Sequence, residues 1–167
     1  APLFEYLEGH VDSLLQRDHD VLTQVIARCC QLKADVVRQD EREETGLRAI
    51  LNYGHTFGHA FEALCGYGEL LHGEAVAIGM LCASRLAERL GRIEPVLTAR
   101  QHALLAALQL PTAVPDVNPD QVLRTMMHDK KVAHGNLRFV LPSRLGHVEL
   151  VGQIDPDDAR WALQESH

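Results

Sequence analysis

The chain has 167 residues, 46% hydrophobic and 23% charged, with a formal net charge of −7. That length and balance suit one compact globular domain spanning residues 1–167. The acidic sign disfavours a nucleic-acid partner, because phosphate backbones attract basic surfaces, yet it leaves room for a local cationic cluster that holds a small anion.

The opening "APLFEYLEGHVDSLLQRD" reads as a helical segment already under way, which suggests a fragment. Ala1 to Gly9 carries Glu5 and Glu8 and no basic residue, unlike a secretory signal, so a cytoplasmic location is expected. From His19 to Arg38, Val21, Leu22, Val25, Ile26, Cys29, Leu32 and Val36 recur at helical steps. The acidic stretch "QDEREETG" breaks this pattern. Helical spacing resumes from Leu47 to Leu64 with Leu47, Ile50, Leu51, Phe57 and Phe61. "CGYGELL" is a loop. A strongly apolar helix then runs from Gly73 to Leu90 and stops at Gly91. Pro95 suits a first helical turn and opens a helix to about Leu108; "PTAVPDVNP" is a linker. Asn118 reads as an N-cap before Pro119, with a short helix to about His128. "LRFVLP" and "HVELV", separated by "SRLG", predict a β-hairpin. Asp155-Pro156 opens a last short helix through Trp161. The expected fold is mainly α, with one small β-hairpin. No apolar run nears the ~20 residues that span a bilayer, so no membrane partner is expected. Cys29, Cys30, Cys65 and Cys82 form no C-x-x-C pair and read as reduced, mostly buried thiols.

The chemistry concentrates between Gly46 and Met80. His55 and His59 are four residues apart, which puts both imidazoles on one helix face, and His72 follows at the start of the next helix. Clustered imidazoles are a usual way to hold a divalent transition metal. The intervening residues Thr56, Phe57 and Gly58 are not those of H-E-x-x-H, which excludes a zincin protease. Arg48 and Asn52 precede His55 by seven and three residues, roughly on the same face, and Lys33 lies on the preceding helix. An arginine, a lysine and an asparagine beside a metal make an anion site.

"KADVV…DERE…GLRAILNYGHTFGHAFE", then "LHGEAVAIGM", then "PT" and "DKK…G…RFVLP…G", resemble 3-dehydroquinate synthase over nearly the whole chain. The resemblance implies the helical C-terminal domain of that fold. It implies a reaction that converts 3-deoxy-D-arabino-heptulosonate 7-phosphate to 3-dehydroquinate and phosphate in the shikimate pathway, with Zn2+ or Co2+ and NAD. It implies His55 and His72 as metal ligands, and His59 near the leaving phosphate rather than on the metal. Arg48 and Lys33 would bind the substrate carboxylate, and Asn52 the phosphate side. Lys130 or Lys131 would be a phosphate-binding lysine, Lys130 being preferred. The family's third ligand is a glutamate in a G-E-x-x-K block that should precede Ala1. Neither that block nor a G-x-G-x-x-G dinucleotide fingerprint occurs, and the spacing from Lys33 to Arg48 is one residue longer than usual. These residues alone are therefore expected to be inactive and to bind zinc weakly, with NAD held mainly by an absent N-terminal domain. An apolar flank should dock that domain, and the full-length enzyme is expected to be a homodimer. A related aminocyclitol or valiolone cyclase, an iron-type alcohol dehydrogenase and a non-catalytic metal-binding module are the competing readings.

Overall fold

The computed structural model describes residues 1–42, 44–66, 68–128 and 137–164. The elements run α1 (Pro2–Gly9), α2 (Val11–Leu15), α3 (His19–Gln39), a 3₁₀ helix (Leu47–Asn52), α4 (His55–Cys65), α5 (His72–Arg89), α6 (Pro95–Ala107), α7 (Pro119–His128), β1 (Phe139–Arg144), β2 (His147–Val151) and α8 (Pro156–Gln164). The mainly helical reading with one antiparallel hairpin holds. β1 pairs with β2 from Phe139 opposite Val151 to Arg144 opposite His147, with a bulge between Pro142 and Arg144. Among the described residues no helix is long and apolar enough to cross a membrane.

Local chemistry sets several boundaries. Asp18 caps α3, its Oδ1 accepting from the amides of Asp20 and Val21 at 3.0 Å each. Asn118 caps α7 as expected, accepting from the amide of Asp120 at 2.8 Å. Pro95 and Pro119 take first-turn positions, where a missing N–H costs nothing.

The core forms where α5 runs through the domain. Ile78, Cys82, Leu86 and Ala87 of α5 meet Phe57 and Phe61 of α4, Val122 and Met126 of α7, Phe139 and Leu141 of β1, and Ala159 and Ala162 of α8. Phe57 stacks on Phe139 with ring centroids 5.1 Å apart. The crossing of α4 on α5 is unusually close. A methyl group at Gly79 would come within 2.1 Å of the Gly54 carbonyl oxygen and 2.8 Å of the Gly58 amide nitrogen. Only glycine fits there, because the neighbours are backbone and cannot swing aside.

Two expectations fail. α3 contributes no buried residue, and Ile26 is 59% exposed, so its apolar face is not part of the core. Cys29 and Cys30, on that helix, are accordingly exposed; Cys65 is half-buried and only Cys82 is fully buried. Burial pushes the Cys82 thiol up to about 12. The continuous helix expected from Leu47 to Leu64 is also broken. Tyr53 is extended (φ −57°, ψ 125°) and Gly54 is left-handed (φ 82°), which ends the 3₁₀ helix and starts α4 afresh at His55.

One polar residue holds this break in place and another holds the loop before the 3₁₀ helix. The buried Tyr53 hydroxyl lies 2.8 Å from Ser84 Oγ, 3.0 Å from Gln101 Oε1 and 3.1 Å from the Met80 carbonyl oxygen. Ser84 donates to Gln101 Oε1 at 2.6 Å. The network joins the break to α5 and α6, and burial raises the phenol to about 12. Asp40, 4% exposed, accepts from the amides of Thr45 (3.0 Å) and Arg48 (3.2 Å). Those bonds, the one from Thr45 first, hold its carboxyl below the usual aspartate range.

Gly79→Ala is expected to lose about 1–3 kcal/mol or more in urea unfolding, since overpacking against backbone cannot relax cheaply. Tyr53→Phe should lower the unfolding free energy by about 1–2 kcal/mol, read as a lower urea midpoint at unchanged m, from the polar partners it strands. For Asp40 the folded pKa lies below the unfolded one, so its stabilisation is present above the unfolded value of about 3.9 and is lost as pH falls through the lower folded value. The stability advantage of wild type over Asp40→Asn should therefore be full at pH 7 and shrink below about pH 4. A constant difference across that range would show that the charge is not what matters.

Candidate metal and anion site

Three imidazoles converge where α4 crosses α5. His55 is the first residue of α4, His59 stands one turn on, and His72 is the first residue of α5. Ring centroids are 5.4 Å apart for His55 and His59, 5.3 Å for His55 and His72, and 6.0 Å for His59 and His72. The glycine-mediated crossing brings α5 near enough for His72 to join the pair on α4. Ligand atoms of His59, Glu62 and His72 all lie within 4.8 Å of one another, a spacing compatible with one metal ion.

The second ring nitrogens matter as much. His55 Nδ1 lies 3.2 Å from the Tyr53 carbonyl oxygen, and His72 Nδ1 lies 3.1 Å from Glu62 Oε1. A carbonyl or a carboxylate can only accept, so in each neutral ring Nδ1 carries the proton and Nε2 the lone pair. That is the arrangement of metal-binding histidines, which donate their other N–H to an oxygen. The donor set therefore fits a zinc- or cobalt-type ion.

Beside the imidazoles is a cleft of about 440 Å³, lined among others by Asp40, Arg48, Asn52, His55, Thr56, His59 and Arg138. Arg48 and Asn52 share this cleft with His55, though not because they share a helix face. They sit on the 3₁₀ helix, and the turn at Tyr53–Gly54 delivers them. Arg48 is anchored twice: its amide binds Asp40, and its Nη1 donates to the Glu41 carbonyl oxygen at 3.3 Å. Lys33 is exposed on α3 and lines a neighbouring groove with Val36, Leu47 and Ile50 instead. Lys130 and Lys131 lie outside the described residues.

Sequence reasoning missed four residues here. Asp40 was hidden in an acidic stretch taken simply as a helix breaker. Tyr53 carried no polar signal. Glu62 had a usable one, since it lies three residues after His59 and seven after His55, on their helix face. Arg138 reaches the cleft from the residue just before β1, which no local pattern announces.

The family model described as 3-dehydroquinate synthase C-terminal matches residues 1–132. The chain is 50% identical over 163 residues to the 3-dehydroquinate synthase of Rhodopirellula baltica, covering 98% of this chain and 44% of that protein. It is 50% identical over 161 residues to that of Neisseria gonorrhoeae, covering 96% and 45%. The chain thus spans less than half the length of these relatives. Among solved structures it resembles a 2-epi-5-epi-valiolone synthase from Streptomyces hygroscopicus with NAD+ and Zn2+ bound. The TM-score is 0.84 and the identity 28%, over 98% of this chain and 45% of that one. It also resembles a 2-deoxy-scyllo-inosose synthase complexed with carbaglucose-6-phosphate, NAD+ and Co2+, with a TM-score of 0.74 and 27% identity over 87% and 42%. The chain belongs to the 3-dehydroquinate synthase C-terminal family, within the fold shared by the sugar phosphate cyclases.

Proposed function

We propose that this chain is the metal- and substrate-binding part of a 3-dehydroquinate synthase that releases phosphate from 3-deoxy-D-arabino-heptulosonate 7-phosphate. The observation that carries the reading is the meeting of three imidazoles with a cleft that holds Arg48 and Asn52. His55 and His72 are the proposed metal ligands through Nε2. The chemistry a bound zinc or cobalt ion supplies is Lewis-acid polarisation of a substrate oxygen. His59 and Asn52, which both line the cleft, are assigned to the leaving phosphate, with Lys130 as a further phosphate contact. Arg48 is assigned to the substrate carboxylate. A guanidinium fixed at both its backbone and its side chain holds a carboxylate in one pose, and orientation of that kind lowers a barrier without any covalent step. Lys33, which lines the neighbouring groove and not this cleft, is proposed as the second cation for that carboxylate only through a swing of its flexible stem.

NAD does not fit these residues. The described residues contain one two-stranded antiparallel sheet rather than a parallel β-α-β unit, and the sequence lacks a G-x-G-x-x-G turn. The redox cofactor is proposed to sit on another part of the enzyme, so these 167 residues alone should show no turnover. The likeness to solved valiolone and inosose synthases supports a second reading, a cyclase acting on a sugar phosphate without a carboxylate.

Joined to the N-terminal half of a Neisseria relative and given NAD and zinc, the chain is expected to release phosphate from the seven-carbon keto acid phosphate and not from glucose 6-phosphate. Arg48→Ala should raise KM for the acid by about 10–100-fold, the worth of a charge-assisted hydrogen bond of about 1.5–3 kcal/mol. Release from glucose 6-phosphate alone would assign the second reading and remove the carboxylate role from Arg48 and Lys33.

A further inference from the structure

Glu62 stands on α4 with its side chain 30% exposed, ten residues before His72 in sequence, and touches it at 3.1 Å across the helix crossing. His72 itself is 59% exposed and opens α5, where an imidazole is otherwise free to turn about two side-chain bonds. A metal ligand needs a fixed ring plane and a fixed tautomer. His55 obtains both from the Tyr53 carbonyl. We propose that Glu62 does the same for His72: it is a positioning residue whose carboxylate accepts from Nδ1–H, fixing the lone pair on Nε2 for the metal.

This inference rests on the metal reading given above. The matched tautomers of His55 and His72, with rings 5.3 Å apart, argue for Glu62 acting through His72. One Nδ1 cannot both donate to Glu62 and bind a metal. The rival role is direct ligation, since the Glu62 carboxylate falls within the same 4.8 Å cluster as His59 and His72.

Three readouts on the protein decide the matter: zinc affinity by competition with a chromophoric chelator, the cobalt(II) absorption spectrum, and the ¹⁵N imidazole shifts of the metal-free protein. Glu62→Ala should weaken zinc about 10–100-fold, the usual cost of losing an outer partner of a ligating histidine. It should leave the cobalt band positions in place and let His72 populate the Nε2–H tautomer. Glu62→Gln, which still offers an acceptor oxygen, should recover most of the affinity and the Nδ1–H tautomer. Should Glu62→Ala not fold, Glu62→Asp, one methylene shorter, carries the same expectation. Equal loss in Glu62→Gln and Glu62→Ala with shifted cobalt bands would make Glu62 a direct ligand and overturn the proposal. Unchanged zinc affinity in Glu62→Ala would overturn it too. If His55→Ala and His72→Ala bind zinc as wild type does, the metal reading itself fails, a result separate from any behaviour of Glu62.

Discussion

The backbone of α5 lies directly on that of α4, and the rest of the structure depends on that approach. Gly79 has no room for even a methyl group against Gly54 and Gly58. At this distance the two helices gain dispersion contacts along their whole crossing, and each side chain flanking it has a fixed position. Phe57 and Phe61 are driven into the core on one side, while His55 and His59 remain at its edge. His72 is brought to them only because α5 starts beside the same crossing. A wider spacing would separate the imidazoles and loosen the core together.

The break before α4 is the second constraint, and it is held by polar rather than apolar contacts. Tyr53 places its ring against the core and its hydroxyl into a buried network with Ser84 and Gln101. Its carbonyl meets His55 Nδ1. One residue therefore ties the helix packing to the orientation of a candidate ligand. Asp40 does comparable work for the preceding loop by holding the amides of Thr45 and Arg48. The guanidinium thereby hangs from a backbone whose amides are satisfied, which keeps a flexible side chain near one position. Positioning of this kind suits a site that must hold a charged ligand in one orientation.

α3 stands apart from this economy. Its periodicity is that of an amphipathic helix, yet none of its residues is buried and both adjacent cysteines are exposed. Helical spacing reports that one face is apolar; it does not say what covers that face.

The sequence by itself determined the helical class, the hairpin, the cap at Asn118, and the family, because these rest on local propensity and on a specific run of residues from Gly46 to Met80. It also singled out His55, His59 and His72, since histidines among glycines are conspicuous. The tertiary structure alone decided how they meet. Spacing suggested one helix from Leu47 to Leu64, but a left-handed Gly54, pressed against α5, divides it, and a one-dimensional period cannot register a contact with residues 76–80. Asp40 and Arg138 were silent for the same reason, and the spacing of Glu62 from His55 and His59 named no partner for it. A carboxylate or a guanidinium looks alike on a solvated surface and in a site until the partner across the fold is known.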